Sequence, residues 1–131
     1  MSIEQMAHYQ SKLAFELDSW DLHVAISNGE AVVVVDGRSE AAFAKEHIPG
    51  AINLPHRGIS TFSTEALDES KTYICYCDGI GCNASTKTAL KLLTLGFKVR
   101  ELIGGLDWWK RDGYQTAGLE GCDGTPVGCG C

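Results

Sequence analysis

The residue in this sequence best suited to nucleophilic chemistry is Cys77, which ends the apolar run TYICYC at 72–77. The next residues, DGIGC, lead to Asn83, a residue type that caps helices. Gly79 and Gly81 allow the backbone to curl, so that several N–H groups can point toward the sulfur. These amides and the positive end of the following helix favour a thiolate or an anionic persulfide. A cysteine in such a place can attack a donor and hold the transferred group covalently.

The cysteines on either side of Cys77 permit other interpretations. Free cysteine is often a small buried hydrophobe, but we prefer a nucleophile at Cys77 because it ends a strand before a Gly-rich turn. Cys75 lies within the strand, where both faces of the sheet should be covered, and is predicted to be a core residue. Cys82, five residues after Cys77, either resolves a persulfide as a disulfide or only closes the loop.

The last three cysteines, Cys122, Cys129 and Cys131, have a C-x6-C-x-C spacing in a Gly-rich segment. Soft thiolates suit Zn²⁺ or Cu(I), although this spacing is not a familiar zinc pattern. A tail thiol that acts on Cys77, as a sulfur acceptor or a resolving group, is a further alternative. We expect a disordered end with incidental cysteines, and we predict neither a metal nor a cofactor.

The elements that position Cys77 follow from hydrophobic periodicity and capping residues. Predicted helices cover residues 3–17, 19–28, 40–47, 83–96 and 106–113, and predicted strands cover residues 31–36, 51–55, 72–77 and 99–103. The segment 56–70 is rich in Ser, Thr and Gly and is predicted to be mostly loop. Strands separated by helices predict an α/β fold, with a mostly parallel sheet covered by helices on both faces. In such folds, sites form where strand carboxyl ends meet helix amino ends, as at Cys77.

Length and composition predict one soluble domain. The chain has 131 residues, and its 44% hydrophobic content is enough for a single core. No run approaches the roughly 18 apolar residues of a membrane span, and the first residues lack the pattern of an export signal. A net charge of -6 argues against nucleic acid and membrane partners. We therefore expect a cytoplasmic location, with the six cysteines reduced rather than paired in a disulfide framework.

Several motifs, in the same order along the chain, resemble those of the rhodanese homology domain. They are Asp36 and Arg38 after the first core strand, the HIPGA turn at 47–51, the strand that ends in Cys77, and Gly104-Gly105 followed by Trp109. The resemblance implies a rhodanese-like three-layer sandwich. Residues 18–117 would form the domain, residues 1–17 an N-terminal helical extension and residues 118–131 a Gly/Cys-rich tail.

The resemblance also implies a sulfurtransferase. Cys77 would take sulfane sulfur from a donor, thiosulfate or a persulfide, and pass it to cyanide, a thiol or a sulfur-carrier protein. The predicted substrate-binding residues include those whose backbone amides would cradle the outer sulfur: Asp78, Gly79, Ile80, Gly81 and Cys82. They also include one cation, Arg57, from the loop after the second strand.

Four other polar residues near these motifs have predicted roles outside the chemistry. Asp36 and Arg38 are expected to form a structural ion pair, and His47 is expected to fix the Pro49-Gly50 bend. Lys87, like Arg57, either supplies positive charge near the site or belongs to the ordinary surface.

The active loop departs from the pattern of many rhodaneses, which carry Arg or Lys where this chain has Asp78 and Cys82. Thiosulfate is a dianion and gains from such cations, so a persulfide or protein-bound donor fits better. A phosphatase would need an arginine where Asn83 stands, which disfavours that alternative. A persulfide carrier or protein-interaction module remains an alternative, although Cys77 and its Gly-containing loop favour chemistry.

Overall fold

The computed structural model describes residues 1–124, so Cys129 and Cys131 lie outside the described residues. The described helices are α1 (Ile3–Phe15), α2 (Ser19–Ser27), α3 (Glu40–Lys45), α4 (Ala84–Thr94) and α5 (Gly105–Arg111). The strands are β1 (Glu16–Leu17), β2 (Val32–Asp36), β3 (Ile52–Asn53), β4 (Thr72–Tyr76) and β5 (Lys98–Leu102), and a short 3-10 helix covers His56–Gly58. No helix within residues 1–124 has the length and apolar character needed to cross a membrane.

The five strands form one parallel sheet in the order β1-β5-β4-β2-β3. Strand β4 lies at the centre of the sheet and is buried from Tyr73 onward. Its β-branched and aromatic residues suit such a position. Because the strands are parallel, their carboxyl ends lie at one edge. Asp36 at the end of β2 is in register with Tyr76 at the end of β4. Cys77 follows directly, so the predicted nucleophile lies at this edge.

Helices cover both faces of the sheet, which confirms the predicted three-layer α/β fold. On one face, Ile74 packs in a cluster with Leu22 of α2 and Leu106 of α5. On the other face, Cys75 packs in a cluster with Leu92 of α4. Successive residues of β4 contribute to opposite faces because side chains alternate along a strand.

Three local predictions are corrected by the structure. Glu16–Leu17, predicted as the end of the first helix, forms β1 and pairs with β5, because a strand this short has no periodicity to detect. Helix α2 is capped by Asp18, whose carboxylate accepts a hydrogen bond from the Asp21 N–H at 2.8 Å, whereas the predicted cap, Ser19, is buried. Asn83 precedes α4 as predicted but makes no side-chain capping hydrogen bond.

The segment 118–124 has no helix or strand, as predicted, but it is held in place. The N–H groups of Leu119 and Glu120 donate to main-chain carbonyls at the end of α3, at 3.0 and 2.8 Å. The N–H of the exposed Cys122 donates to Thr116 Oγ1 at 3.0 Å. The expectation of a disordered end is therefore wrong for these residues. The metal and redox alternatives for the tail also involve the two cysteines outside the described residues.

Candidate active site

Cys77 lies where β4 meets the loop 78–82 that leads into α4. Its side chain is 2% exposed, and its sulfur forms a disulfide with the sulfur of Cys82. The two Cα atoms are 6.1 Å apart, within the usual range for a disulfide. The expectation that the cysteines are reduced is therefore wrong for this pair, because the short loop returns residue 82 to residue 77. Cys77 becomes a nucleophile only when the disulfide is reduced.

Two carbonyl groups at the start of the loop accept hydrogen bonds from N–H groups at the start of α5. The Cys77 carbonyl accepts a hydrogen bond from the Leu106 N–H at 2.9 Å, and the Asp78 carbonyl accepts one from the Asp107 N–H at 2.8 Å. The described chain has no cis peptide bond, and in a trans peptide the N–H points opposite to the C=O. The N–H groups of Asp78 and Gly79 therefore point away from α5.

Four loop amides have no hydrogen-bond acceptor within residues 1–124. They are the N–H groups of Asp78, Gly79, Ile80 and Gly81. The fifth predicted amide, that of Cys82, donates instead to the Gly79 carbonyl at 3.2 Å, which removes it from the predicted cradle. Backbone donors without a protein partner are available to an anion.

Gly104 and Gly105 lie at the start of α5, and the absence of a side chain at Gly105 allows the loop to approach the helix this closely. Their φ angles are +81° and +58°, in the region that favours glycine. A Cβ on Gly105 would collide with the Cys77 carbonyl oxygen and lie 2.9 Å from the Gly79 nitrogen. Gly79 and Gly81, which are expected to let the loop curl, do so without a positive φ. The close approach at Gly105 was not predicted, and its signal in the sequence was the Gly-Gly before the last helix.

We expect Gly105→Ala to destabilise the reduced protein by about 1–3 kcal/mol, because alanine at positive φ strains the backbone and its Cβ displaces the loop. Urea denaturation in excess reductant measures the free energy of unfolding, and the rate of Cys77 alkylation reports the loop geometry. The control is Gly58→Ala, where an added Cβ meets no atom within 4 Å; it should stay within about 0.5 kcal/mol of wild type. Equal stability of the two variants would contradict the close fit at Gly105.

Arg38 joins the core of the sheet to the loop 78–82. Its side chain is 9% exposed; Nη2 lies 2.7 Å from Asp36 Oδ2, and Nη1 lies 3.0 Å from Asp78 Oδ1. Asp36 is fully buried and also accepts a hydrogen bond from the Tyr76 hydroxyl at 2.9 Å. Burial alone would lower the pKa of Arg38, but the hydrogen bonds and charge of Asp36 outweigh it and raise that pKa. The predicted ion pair is confirmed, and its extension to Asp78 was not predicted.

A cavity of about 350 Å³ opens beside the disulfide. The polar and sulfur-bearing residues that line it are Arg38, Ser39, His56, Arg57, Cys77, Asp78 and Cys82. Arg57 is exposed and forms no salt bridge within residues 1–124, whereas Arg38 is paired with two carboxylates. Arg57 is therefore the cation of this lining whose charge is not compensated by a salt bridge.

The environment of His56 indicates that this side of the cavity is electropositive. Partial burial lowers the pKa of His56, and the charges of Lys87, Lys91 and Arg57 lower it further. Lys87 does not line the cavity but acts electrostatically on its wall. Arg57 and Lys87 were the two cations considered as sources of positive charge near the site. Arg57 lines the cavity, whereas Lys87 does not.

Cys75 is a core residue, as predicted; the expectation that His47 fixes the Pro49-Gly50 bend stays a prediction, and the His47 side chain contacts Phe43 of α3. Cys75 is fully buried; this burial, with the negative charge of Glu101, raises the pKa of its thiol to about 12. The His47 ring stacks on Phe43 with centroids 3.8 Å apart, and its Nδ1 lies 2.7 Å from the Phe43 carbonyl oxygen. Neither residue lines the cavity at Cys77.

Cys77, Asp78 and Cys82 each place one potential metal ligand within 4.8 Å of the others. Both sulfurs are bonded to each other in this structure, and the Asp78 carboxylate accepts a hydrogen bond from Arg38. The group therefore offers no thiolate to a metal in this oxidation state.

Residues 19–112 match the model of a known family, the rhodanese-like domain. The thiosulfate sulfurtransferase GlpE of Coxiella burnetii is 33% identical over 96 residues, which cover 72% of this chain and 82% of that protein. The protein of the same name from Pseudomonas putida is 36% identical over 83 residues, which cover 62% of this chain and 72% of that protein.

Solved structures show the same likeness. The BH2092 protein from Bacillus halodurans has a TM-score of 0.87 and 38% identity, covering 97% of this chain and 93% of that one. The rhodanese-like domain of the Alr3790 protein from Anabaena sp. has a TM-score of 0.71 and 27% identity, covering 87% of this chain and 91% of that one.

Proposed function

Because the chain belongs to the rhodanese-like domain family, we propose that it is a sulfurtransferase that carries sulfur on Cys77. The observation that carries the proposal is the position of Cys77 at the carboxyl edge of the sheet, next to four loop amides without a protein acceptor. Such amides stabilise an anion without reorganising, which is what an outer persulfide sulfur requires.

The reaction begins with the disulfide reduced. The Cys77 thiolate attacks the outer sulfur of the donor; a new S–S bond forms at Cys77 while the donor bond breaks, and sulfite or a thiolate leaves with the electron pair. An acceptor such as cyanide or a thiol then attacks the outer sulfur, and Cys77 leaves as a thiolate. The amides of residues 78–81 hold the outer sulfur between the two steps.

The charges around the loop bear on the donor. Asp78 replaces a cation common in the family, but its carboxylate lies 3.0 Å from Arg38 Nη1, which offsets its repulsion of an anion. Arg57 adds a positive charge at the cavity. These contacts support thiosulfate as a donor, as does the name of the relatives, while the missing loop cations favour a persulfide or protein-bound donor. We propose that the site accepts both kinds.

Steady-state formation of thiocyanate from thiosulfate and cyanide tests the proposal. A sulfurtransferase is expected to form many equivalents of thiocyanate per protein, in proportion to time. A single equivalent followed by no further product would favour the persulfide carrier. The assay should include a mild reductant in the pre-incubation, because the disulfide blocks Cys77, and the reductant should then be removed.

We expect Arg57→Ala to raise the KM for thiosulfate by about 2–5-fold, because an exposed cation contributes roughly 0.3–1 kcal/mol to binding an anion. The value of kcat should change less, since the proposed role of Arg57 is to attract the anion and not to react with it. The matched control is Lys98→Ala, which removes an exposed cation at the start of β5, the opposite edge of the parallel sheet. Equal KM values for the two variants at low ionic strength would show that Arg57 has no role in binding.

A further inference from the structure

We propose that Cys82 resolves the Cys77 persulfide, so that this protein also reduces sulfane sulfur and releases sulfide. The inference rests on the proposed persulfide at Cys77. It is carried by the position of the second sulfur: the loop places the Sγ of Cys82 against the Sγ of Cys77, the inner sulfur of the persulfide. The hydrogen bond that the Cys82 N–H donates to the Gly79 carbonyl closes the loop in this conformation. Attack on the inner sulfur therefore yields the loop conformation seen in the structure.

The step is balanced as an exchange at sulfur. Cys82 loses its proton and its thiolate attacks the Sγ of Cys77; the new Sγ–Sγ bond forms while the bond from Cys77 to the outer sulfur breaks. The outer sulfur leaves with the electron pair and takes up the proton that Cys82 lost, so the product is hydrosulfide. The two cysteines are oxidised by two electrons in total, and the sulfane sulfur is reduced by the same two electrons.

Sulfide release competes with transfer to an external acceptor, and the geometry determines how. An external acceptor must enter the cavity and reach the outer sulfur, whereas Cys82 is tethered beside Cys77, so its attack is unimolecular. Transfer dominates when the acceptor is abundant or strongly nucleophilic. Without such an acceptor, the persulfide is resolved to the disulfide and the protein stops after one turnover.

Completion of the cycle requires a dithiol reductant. The two residues of the disulfide differ in exposure: Cys77 is 2% exposed, while Cys82 is only partly buried. A dithiol attacks Cys82, the Cys77 thiolate leaves toward the loop amides, and the second thiol of the reductant frees Cys82. The overall reaction converts a sulfane-sulfur donor and a dithiol into sulfide, an oxidised dithiol and the remainder of the donor, which is sulfite or a thiol.

A single-turnover experiment on the full chain tests the proposal. Reduced protein, freed of reductant, is mixed with one equivalent of thiosulfate, or of a small-molecule persulfide in a parallel sample; sulfide is measured and the intact mass recorded. Wild type is expected to release close to one equivalent of sulfide and to lose the mass of two hydrogen atoms, with peptide mapping locating the disulfide at Cys77 and Cys82. Cys82→Ser is expected to gain the mass of one sulfur atom and to release about ten-fold less sulfide, because its resolving thiol is gone.

The matched control is the triple variant Cys122→Ser, Cys129→Ser, Cys131→Ser, which should behave as wild type. Loss of sulfide release in this variant would assign the resolving thiol to the tail and overturn the proposal. Wild type that accumulates the persulfide, releases no sulfide and still forms thiocyanate from cyanide would overturn the proposal and leave the sulfurtransferase function intact. If neither donor loads sulfur onto wild type or Cys82→Ser, the sulfurtransferase function itself fails, and resolution by Cys82 fails with it.

Discussion

Cys77→Ser is expected to take up no sulfur from thiosulfate or from a persulfide donor, and to lose transfer to cyanide by about 10³-fold or more, because it lacks the nucleophile. A serine hydroxyl is not a thiolate and cannot hold sulfane sulfur as a persulfide. Intact-mass measurement on reduced protein gives the direct result: wild type gains one sulfur atom or forms the internal disulfide, and the variant does neither.

The substitution also removes the disulfide to Cys82, so stability must be compared in excess reductant. Under those conditions, the variant should unfold near the wild-type urea midpoint, which shows that its loss of activity is chemical. Cys122→Ser removes an exposed thiol outside the cavity and is the matched control, expected to keep full activity. Normal turnover by Cys77→Ser would remove Cys77 from the mechanism, whatever the remaining cysteines do.

Arg38→Ala is expected to lower the free energy of unfolding by about 3–5 kcal/mol, the effect of removing one partner from a buried ion pair. The Asp36 carboxylate is fully buried and, within residues 1–124, would retain hydrogen bonds only from the Tyr76 hydroxyl and from the main-chain N–H of residue 38. Urea denaturation of the reduced protein at neutral pH measures the loss. Arg38→Lys should give an intermediate value, since lysine keeps the charge but not the planar fork of donors.

The control for Arg38 is Arg57→Ala, which removes an exposed arginine and should change stability by less than about 0.5 kcal/mol. An Arg38→Ala variant as stable as Arg57→Ala would contradict the buried network. The same variant also frees the Asp78 carboxylate, which is bonded to Arg38 at 3.0 Å. We therefore expect the folded fraction of Arg38→Ala to bind thiosulfate less well than wild type, because an uncompensated carboxylate faces the anion.

Arg38 links the buried core to the loop that carries the proposed function. Its guanidinium donates hydrogen bonds to the Asp36 carboxylate at the end of β2 and, through Nη1, to the Asp78 carboxylate in the loop after β4. A residue expected to be only structural is thus also a positioning residue for the loop. The loop is held from its other side by α5, through the hydrogen bonds to the Cys77 and Asp78 carbonyls.

The features that the sequence by itself determined are local or periodic. The β-branched run before Asp36 and the apolar run before Cys77 predict strands, because side-chain patterning follows the strand repeat. The caps at Ser39 and the stop at Gly96 set helix ends within a few residues of the observed ones. The position of Cys77 at the carboxyl edge follows from these elements alone, since parallel strands end at one edge.

The features that only the tertiary structure decided depend on contacts between distant residues or on the exact path of a loop. The bond from Arg38 to Asp78 joins positions 40 residues apart, and the approach of Gly105 to the Cys77 carbonyl joins two separate motifs. From the sequence, Cys82 could either resolve a persulfide or only close the loop, because the spacing of two cysteines does not determine whether the loop brings their sulfurs together. Hydrophobic periodicity indicates which face of a helix or strand is apolar. The contacts of Arg38 and Gly105 depend instead on how the helices and strands pack, which decides which of their ends lie close together.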